Sequence, residues 1–355
     1  MRTWTKHPTY PAWVDRSGRV LPIIQAPDGF KPGRGPGRDR PTADNQLFDA
    51  SKLADEITSP ITYSTDYQVI RNTVFSALPK VRAQFVTFEN CRLRGGIPST
   101  DLTQQMTGID TNDSRYRGTL AIGCEFVPQV QQVNMGAAII GSYVTTYRCH
   151  IYGGWCDGLN HQSDLPGANS GACASIADRV IPMVYPHDPL QPRFPGDTEG
   201  GPSHSDGSQI ANGWDHLYFG TSFEVPVGDP DSHGMVVSPY AGKGIGSTRV
   251  IECYFSGGNA GLSSWVKASK DKTLSLKLWV LRNEFDCRGM ANDLSGGLYR
   301  PQSILMTPPV AAASVISGNV QTHPCTPSDP NGIPYGASAT PEAPVPAYVY
   351  ISKNE

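Results

Sequence analysis

Arg148-Cys149-His150-Ile151-Tyr152-Gly153-Gly154 is the stretch that decides the fold: a cysteine, an alternating pair, and glycines that stop the run. The same order returns at Glu89-Asn90-Cys91-Arg92-Leu93-Arg94-Gly95-Gly96, at Gly123-Cys124-Glu125-Phe126 and at Glu252-Cys253-Tyr254-Phe255-Ser256-Gly257-Gly258. Looser copies stand at Arg282-Asn283-Glu284-Phe285 and Ser317-Gly318-Asn319-Val320. No copy is long enough to bury a face alone, so short strands ending in glycine turns gain a core only by stacking on one another. The expectation is an all-β solenoid of parallel strands. The spacing drifts, with 33 residues from Cys91 to Cys124 (124 − 91) and 25 from Cys124 to Cys149 (149 − 124), so loops are inserted at some turns. The gap from Cys149 to Cys253 has room for three or four coils plus an excursion over Val180 to Pro202, which carries six prolines.

Composition agrees with a turn-rich body. Gly 37 and Pro 31 stand beside only 17 % charged residues, unlike a helical protein. A net charge of -3 argues against global attraction to nucleic acid or membrane, and no nucleic-acid partner is expected. The N-terminal residues Met1 to Pro8 lack the apolar run of a signal peptide, and no later stretch approaches the ~20 apolar residues that cross a bilayer. The expected product is a soluble protein made in the cytoplasm without a general secretory signal. The chain holds 8 cysteines, and four of them, Cys91, Cys124, Cys149 and Cys253, share one repeat position. Equivalent positions on stacked coils lie ~4.8 Å apart, so these read as an interior column of free thiols, with disulfides between rungs as the competing reading. There is no CxxC pair, and neither a metal nor another cofactor is expected.

Four regions follow. Residues 1–45 form an extended, proline-broken arm whose aromatics, Trp4, Tyr10, Trp13 and Phe30, imply docking on something. Residues 46–65 hold a helical cap: Asp44 to Ile57 has an N-cap residue and places Leu47, Phe48, Leu53 and Ile57 roughly on one side. Residues 66–320 are the solenoid. Residues 321–355 are a Pro-rich tail in which Tyr348 to Ile351 can pair as an edge strand.

Several groups of residues could carry chemistry. His204 and Asp206 alternate, so on a strand they share a face and could form an imidazole steered by a carboxylate; equally, Asp206 caps the turn at Gly207. Asp157-Gly158 repeats the Asp-Gly turn. A glycan-cleaving site needs two carboxyls across a groove, which Asp157, Asp206, Asp215, Asp231 and Glu252 could supply. Trp155, Trp214, Tyr218, Tyr240 and Trp265 suit stacking on sugars or ordinary packing. Asp229, Asp231 and His233 are a weak candidate metal set, because Pro230 breaks a shared strand face.

The His204-Ser205-Asp206-Gly207-Ser208-Gln209 segment and coils of the Cys149 to Gly154 type resemble right-handed parallel β-helix proteins of the pectate-lyase-like superfamily, over residues 66–320. With the proline-rich arm, the whole chain resembles minor tail proteins of actinobacterial siphophages. That resemblance implies a virion component at the tail tip, held to other tail proteins through its arm and touching host-envelope polysaccharide; a homo-oligomer is compatible with it. The Asn-Thr-Asp, Gly-His-Gly and Arg-Ile-Lys elements of polygalacturonases are absent, as is the calcium and arginine set of pectate lyases, so no catalytic residue carries over. The expected role is structural or adhesive. The alternative is a tail-borne polysaccharide depolymerase, a hydrolase or lyase, working near His204, Asp206 and Asp157.

Overall fold

The structure, a computed structural model, describes residues 5–6, 12–14, 20–22, 29–33, 37–95, 107–113, 115–129, 136–153, 155, 157–161, 173–182, 205–211, 213, 215–226, 232–238, 246–258, 260–264, 276–290, 302–306, 308–323, 345–346 and 349–351. It is a right-handed parallel β-helix with three sheets, of 11, 10 and 9 strands, and each coil adds one strand to each sheet in turn. One full coil runs through Glu125–Phe126, Ile139–Gly141 and Val144–Tyr147; the next runs through His150–Ile151, Leu159–His161 and Ala174–Ile176. The coiling starts at Asp55–Ile57, inside the stretch expected to be a cap. It ends with Val349–Ile351 added in parallel to Gln302–Met306, while Val345–Pro346 pairs antiparallel with Val320–His323.

The repeated motif is the corner that joins the 9-stranded to the 11-stranded sheet. Here the chain takes one residue with φ between 49° and 66°, successively Asn72, Asn90, Gly123, Arg148, Ala177, Gly220, Glu252, Arg282 and Gly318. The residue after it points inward, giving the column Thr73, Cys91, Cys124, Cys149, Asp178, Thr221, Cys253, Asn283, Asn319, all buried. The following residue faces out, and the one after that returns to the core. That second inward column runs Phe75, Leu93, Phe126, Ile151, Val180, Phe223, Phe255, Phe285 in register, each fully buried. Ring centroids of Phe223, Phe255 and Phe285 follow at 5.2 and 5.0 Å, the strand spacing itself, so stacking geometry and sheet geometry coincide.

The inward corner column is a hydrogen-bonded ladder. Cys253 N–H donates to Asn283 Oδ1 (2.8 Å) and Asn283 N–H to Asn319 Oδ1 (2.8 Å), while the amide groups donate back to Val250 and Val280 carbonyls at 3.0 and 2.8 Å. In the earlier coils thiols take the same place: Cys124 Sγ donates to Phe88 O and Ile122 O, and Cys149 Sγ to Ala121 O and Tyr147 O. A thiol bonds weakly but fills the space of the amide, so the column tolerates either. Among the described residues Cys91, Cys124, Cys149 and Cys253 are free thiols.

Asp178 occupies one rung as a carboxylate. Its Oδ1 accepts Cys149 N–H (2.7 Å), and Oδ2 accepts hydroxyls from Ser175 (2.6 Å) and Thr146. Full burial nevertheless raises its pKa to about 6, because burial penalises the charged form more than these bonds favour it.

The stretch from Asp44 to Ile57 is not a helix. It holds two 3-10 turns, Ala43–Asn45 and Ala50–Lys52, then the first strand. Local side chains hold its backbone in turns: Asn45 Oδ1 accepts Thr42 N–H (2.8 Å) and Asp49 Oδ1 accepts Ser51 N–H (3.0 Å). Other amides bond the solenoid, as Asp49 N–H does to Asn90 Oδ1 (2.7 Å) and Ala54 N–H to the Asn72 carbonyl (2.8 Å). The arm's described residues from Phe30 to Leu47 therefore lie along the chain's own positive-φ corner, while Thr5–Lys6, Ala12–Val14 and Val20–Pro22 pair as a small antiparallel sheet. Phe30 packs under the Arg148 guanidinium (4.2 Å), Pro32 meets Gly220, Arg40 lies 3.4 Å over Tyr254, and Leu47 crosses Gly123. No helix among the described residues is long and apolar enough to cross a membrane.

Candidate functional site

The Asp-Gly turns form the second corner, between the 11- and 10-stranded sheets. Asp157-Gly158, Asp206-Gly207 and His233-Gly234 are stacked on successive coils. A Cβ on Gly158, Gly207 or Gly234 would come within 2.4–2.6 Å of the next coil's carbonyl oxygen, so glycine is demanded by closeness. The residues before the glycines chain together: Asp206 N–H donates to Asp157 Oδ1 (3.1 Å), and Asp206 Oδ1 accepts His233 N–H (2.9 Å) and meets His233 Nδ1 (3.2 Å). Asp206 is fully buried, while Asp157 and His233 are 9 % and 7 % exposed. The imidazole beside Asp206 thus belongs to His233, 27 residues on; His204 lies outside the described residues. Coil length, invisible in the sequence, sets that partnership.

Asp229, Asp231, Trp214 and Trp265 also lie outside the described residues, and His233 is engaged with Asp206. Trp155 and Tyr218 have no exposed surface (0 %), so neither ring offers a face to a sugar outside. Tyr218 points inward, with its hydroxyl between Ser208 Oγ (3.0 Å) and His161 Nδ1. Glu252, on the positive-φ corner, bonds Arg282 (2.9 Å) and closes a small depression with Gly33, Arg40, Gly220 and Tyr254. Asp215 pairs with Arg249.

What the sequence did not single out is a polar ladder on the outer face of the 11-stranded sheet. Arg92, Glu125, His150, Arg179 and Ser222 lie side by side in register. Arg92 bonds Glu125, whose other oxygen accepts the Tyr152 hydroxyl (2.8 Å); His150 stacks on Tyr152 at 4.1 Å. Arg179 holds Glu224 through two bonds (3.1 and 2.8 Å) and donates to His150 Nε2 (3.2 Å). Partial burial, then the Arg179 charge, pushes His150 down to about 4, so the ring is neutral and can accept that bond. The signal was present in the outward residue of each repeat, but those residues read singly as solvated positions.

Glu125 and Ser222 are buried within the ladder and Phe48 of the arm packs on Arg92 (5.2 Å), so the chemistry it offers outward is recognition of polar groups by its part-exposed members, His150 and Arg179. Glu125 and Glu224 stand on rungs three registers apart, about 14 Å at the ~4.8 Å strand spacing. Glycoside cleavage needs its carboxyls about 5–9.5 Å apart. Comparison of the chain with models of protein families, with curated proteins and with solved structures finds no match in any of the three.

Proposed function

We propose that the chain is a structural or adhesive component of a phage tail tip, held to other tail proteins by its N-terminal arm and presenting the outer ladder of the 11-stranded sheet to host-envelope glycans. The observation that carries the non-enzymatic part is the employment of the carboxylates: Asp157 and Asp206 join adjacent coils, and Glu125 and Glu224 are each tied to an arginine. An acid or base for catalysis has to be free to exchange a proton with substrate, and each of these is committed to a neighbour. The phage assignment is supported by the resemblance of the arm and β-helix plan to tail proteins. Gold-labelled antibody against the chain should decorate one end of the tail in electron micrographs of particles that contain it. Absence of label on intact and on detergent-opened particles would reject the virion assignment. Shortened chains from host wall polysaccharide incubated with the pure protein would replace the adhesive role with the depolymerase.

A further inference from the structure

The third corner, between the 10- and 9-stranded sheets, brings together three residues that no role described so far uses. His161 ends Leu159–His161, Cys173 directly precedes Ala174–Ile176, and His216 opens the equivalent strand one coil on, where Leu217 pairs with Ala174. Their metal-binding atoms lie within 4.8 Å of one another, and all three residues are at most 1 % exposed. The imidazoles of His161 and His216 stack at 6.0 Å and 5°.

A buried neutral imidazole has two nitrogens to satisfy. His161 Nδ1 is bonded to the Tyr218 hydroxyl, which in turn meets Ser208 Oγ at 3.0 Å. His161 Nε2 has no hydrogen-bond partner among the described residues. An unmet buried polar nitrogen is a cost, so a solenoid built only for packing gains nothing from a histidine here. We propose that His161, Cys173 and His216 bind a d-block divalent cation of the zinc type, through His161 Nε2, the Cys173 thiolate and a ring nitrogen of His216.

The donor set selects the ion. Two imidazoles and a thiolate, with no carboxylate, suit Zn²⁺ and its neighbours and exclude Ca²⁺ and Mg²⁺, which want oxygen. Bonds of about 2.0–2.3 Å in tetrahedral geometry put ligand atoms about 3.3–3.8 Å apart, a contraction that side-chain rotation supplies. The Tyr218 hydroxyl does the work of an outer partner: with the His161 proton on Nδ1, facing Tyr218, the lone pair on Nε2 is left for the ion. Cys173 N–H donates to His216 Nδ1 (3.1 Å), and that bond gives way on binding by either route: the ion takes the Nδ1 lone pair, or it takes Nε2 with the ring proton moved to Nδ1, which then no longer accepts. Binding releases the Cys173 thiol proton to solvent and moves no electron. The ion would tie the two ends of residues 162–172 to each other and to the next coil.

The test uses the full chain without a histidine tag, stripped with chelator and titrated with Co²⁺ alone. The expected result is saturation at about one Co²⁺ per chain, with a thiolate-to-cobalt charge-transfer band and tetrahedral visible bands, displaced by Zn²⁺. Cys173→Ser should abolish the charge-transfer band. Tyr218→Phe, which keeps every ligand, should weaken binding about 10- to 100-fold, an effect a packing role would not produce. A folded wild type that binds no Co²⁺, or an unchanged band and affinity in folded Cys173→Ser and Tyr218→Phe, overturns the site. Should Cys173→Ser fail to fold, His161→Gln takes its place: loss of binding in it supports the site, and wild-type binding in it overturns it.

Discussion

Two corners of this solenoid solve the same turn in opposite ways. At the corner between the 9- and 11-stranded sheets every coil adopts positive φ, yet six of the nine positions carry a side chain: Asn72, Asn90, Arg148, Ala177, Glu252 and Arg282. At the corner between the 11- and 10-stranded sheets Gly108, Gly158, Gly207 and Gly234 have no positive φ at all, and glycine is there because the next coil's carbonyl leaves no room for a Cβ. Conformational strain of about 1–2 kcal/mol per residue is tolerable when the next residue anchors the turn in a ladder of bonds. Steric overlap with a backbone oxygen has no such remedy. The first corner therefore constrains what its inward side chain can offer, and the second excludes one at these four glycines, while Ala138 and Leu78 hold the equivalent place in two other coils. Two of the three exceptions fit as well: Gly123 and Gly220 are glycine where the arm crosses, since a Cβ there would come 2.6 Å from Leu47 and 2.8 Å from Pro32.

The largest expected effect attacks the first corner through its side-chain chemistry. Cys149→Asp would aim a carboxylate at the Ala121 and Tyr147 carbonyls, and should cost about 4 kcal/mol in urea unfolding. Cys149→Asn, which reproduces the Asn283 rung, should stay within about 1 kcal/mol of wild type. Equal losses in both would mean that the column is packed by volume alone. Next comes the second corner: Gly207→Ala sets a Cβ 2.4 Å from the Gly234 oxygen and should cost about 3 kcal/mol. A melting temperature equal to wild type would remove the distinction between the corners.

Asp178→Asn sharpens the comparison, because it turns a carboxylate rung into an amide rung. The folded pKa of about 6 lies above the 3.8 of an ordinary aspartate. The group's contribution is therefore whole below pH 3.8 and lost as pH rises through about 6. The variant should gain about 3 kcal/mol at pH 8 and almost nothing near pH 3.5, read from paired urea titrations. A gain independent of pH would assign it to packing. Smallest is Gly318→Ala, where φ is 66° and the nearest atom is Arg282 Cγ at 3.1 Å. Its cost should be about 1 kcal/mol, the strain that its six neighbours with side chains already bear.

The same contrast explains what could be read in advance. The motif at Cys91, Cys124, Cys149 and Cys253 was legible because the first corner places the same two residues between strands in these coils. Between Cys149 and Cys253 the column continues as Asp178 and Thr221, residues that bond like the cysteines but do not look like them, so the two rungs that divide that gap into three coils had no visible marker. The expected helix at 44–57 had good periodicity, but Asn45 and Asp49 spend their side chains on nearby amides and the segment's own amides go to the solenoid. Asp206 was singled out, but its contact with the His233 imidazole was not, since that residue arrives only after a full coil. His161, Cys173 and His216 share no local pattern; only the stacking of coils brings them within reach of one another.

Coil length, measured between successive positive-φ residues, runs from 18 (Asn72 to Asn90, 90 − 72) to 43 (Ala177 to Gly220, 220 − 177). The variation falls outside the first corner, where successive strands are separated by one or two residues throughout. That corner behaves as a register clamp, and the other two as sites where the chain can lengthen without disturbing the stack. An inserted residue at the clamp would reverse which side chains face the core. The same residue added at either other corner would only enlarge a loop. Such a molecule can diversify what it displays on two edges while the third keeps count.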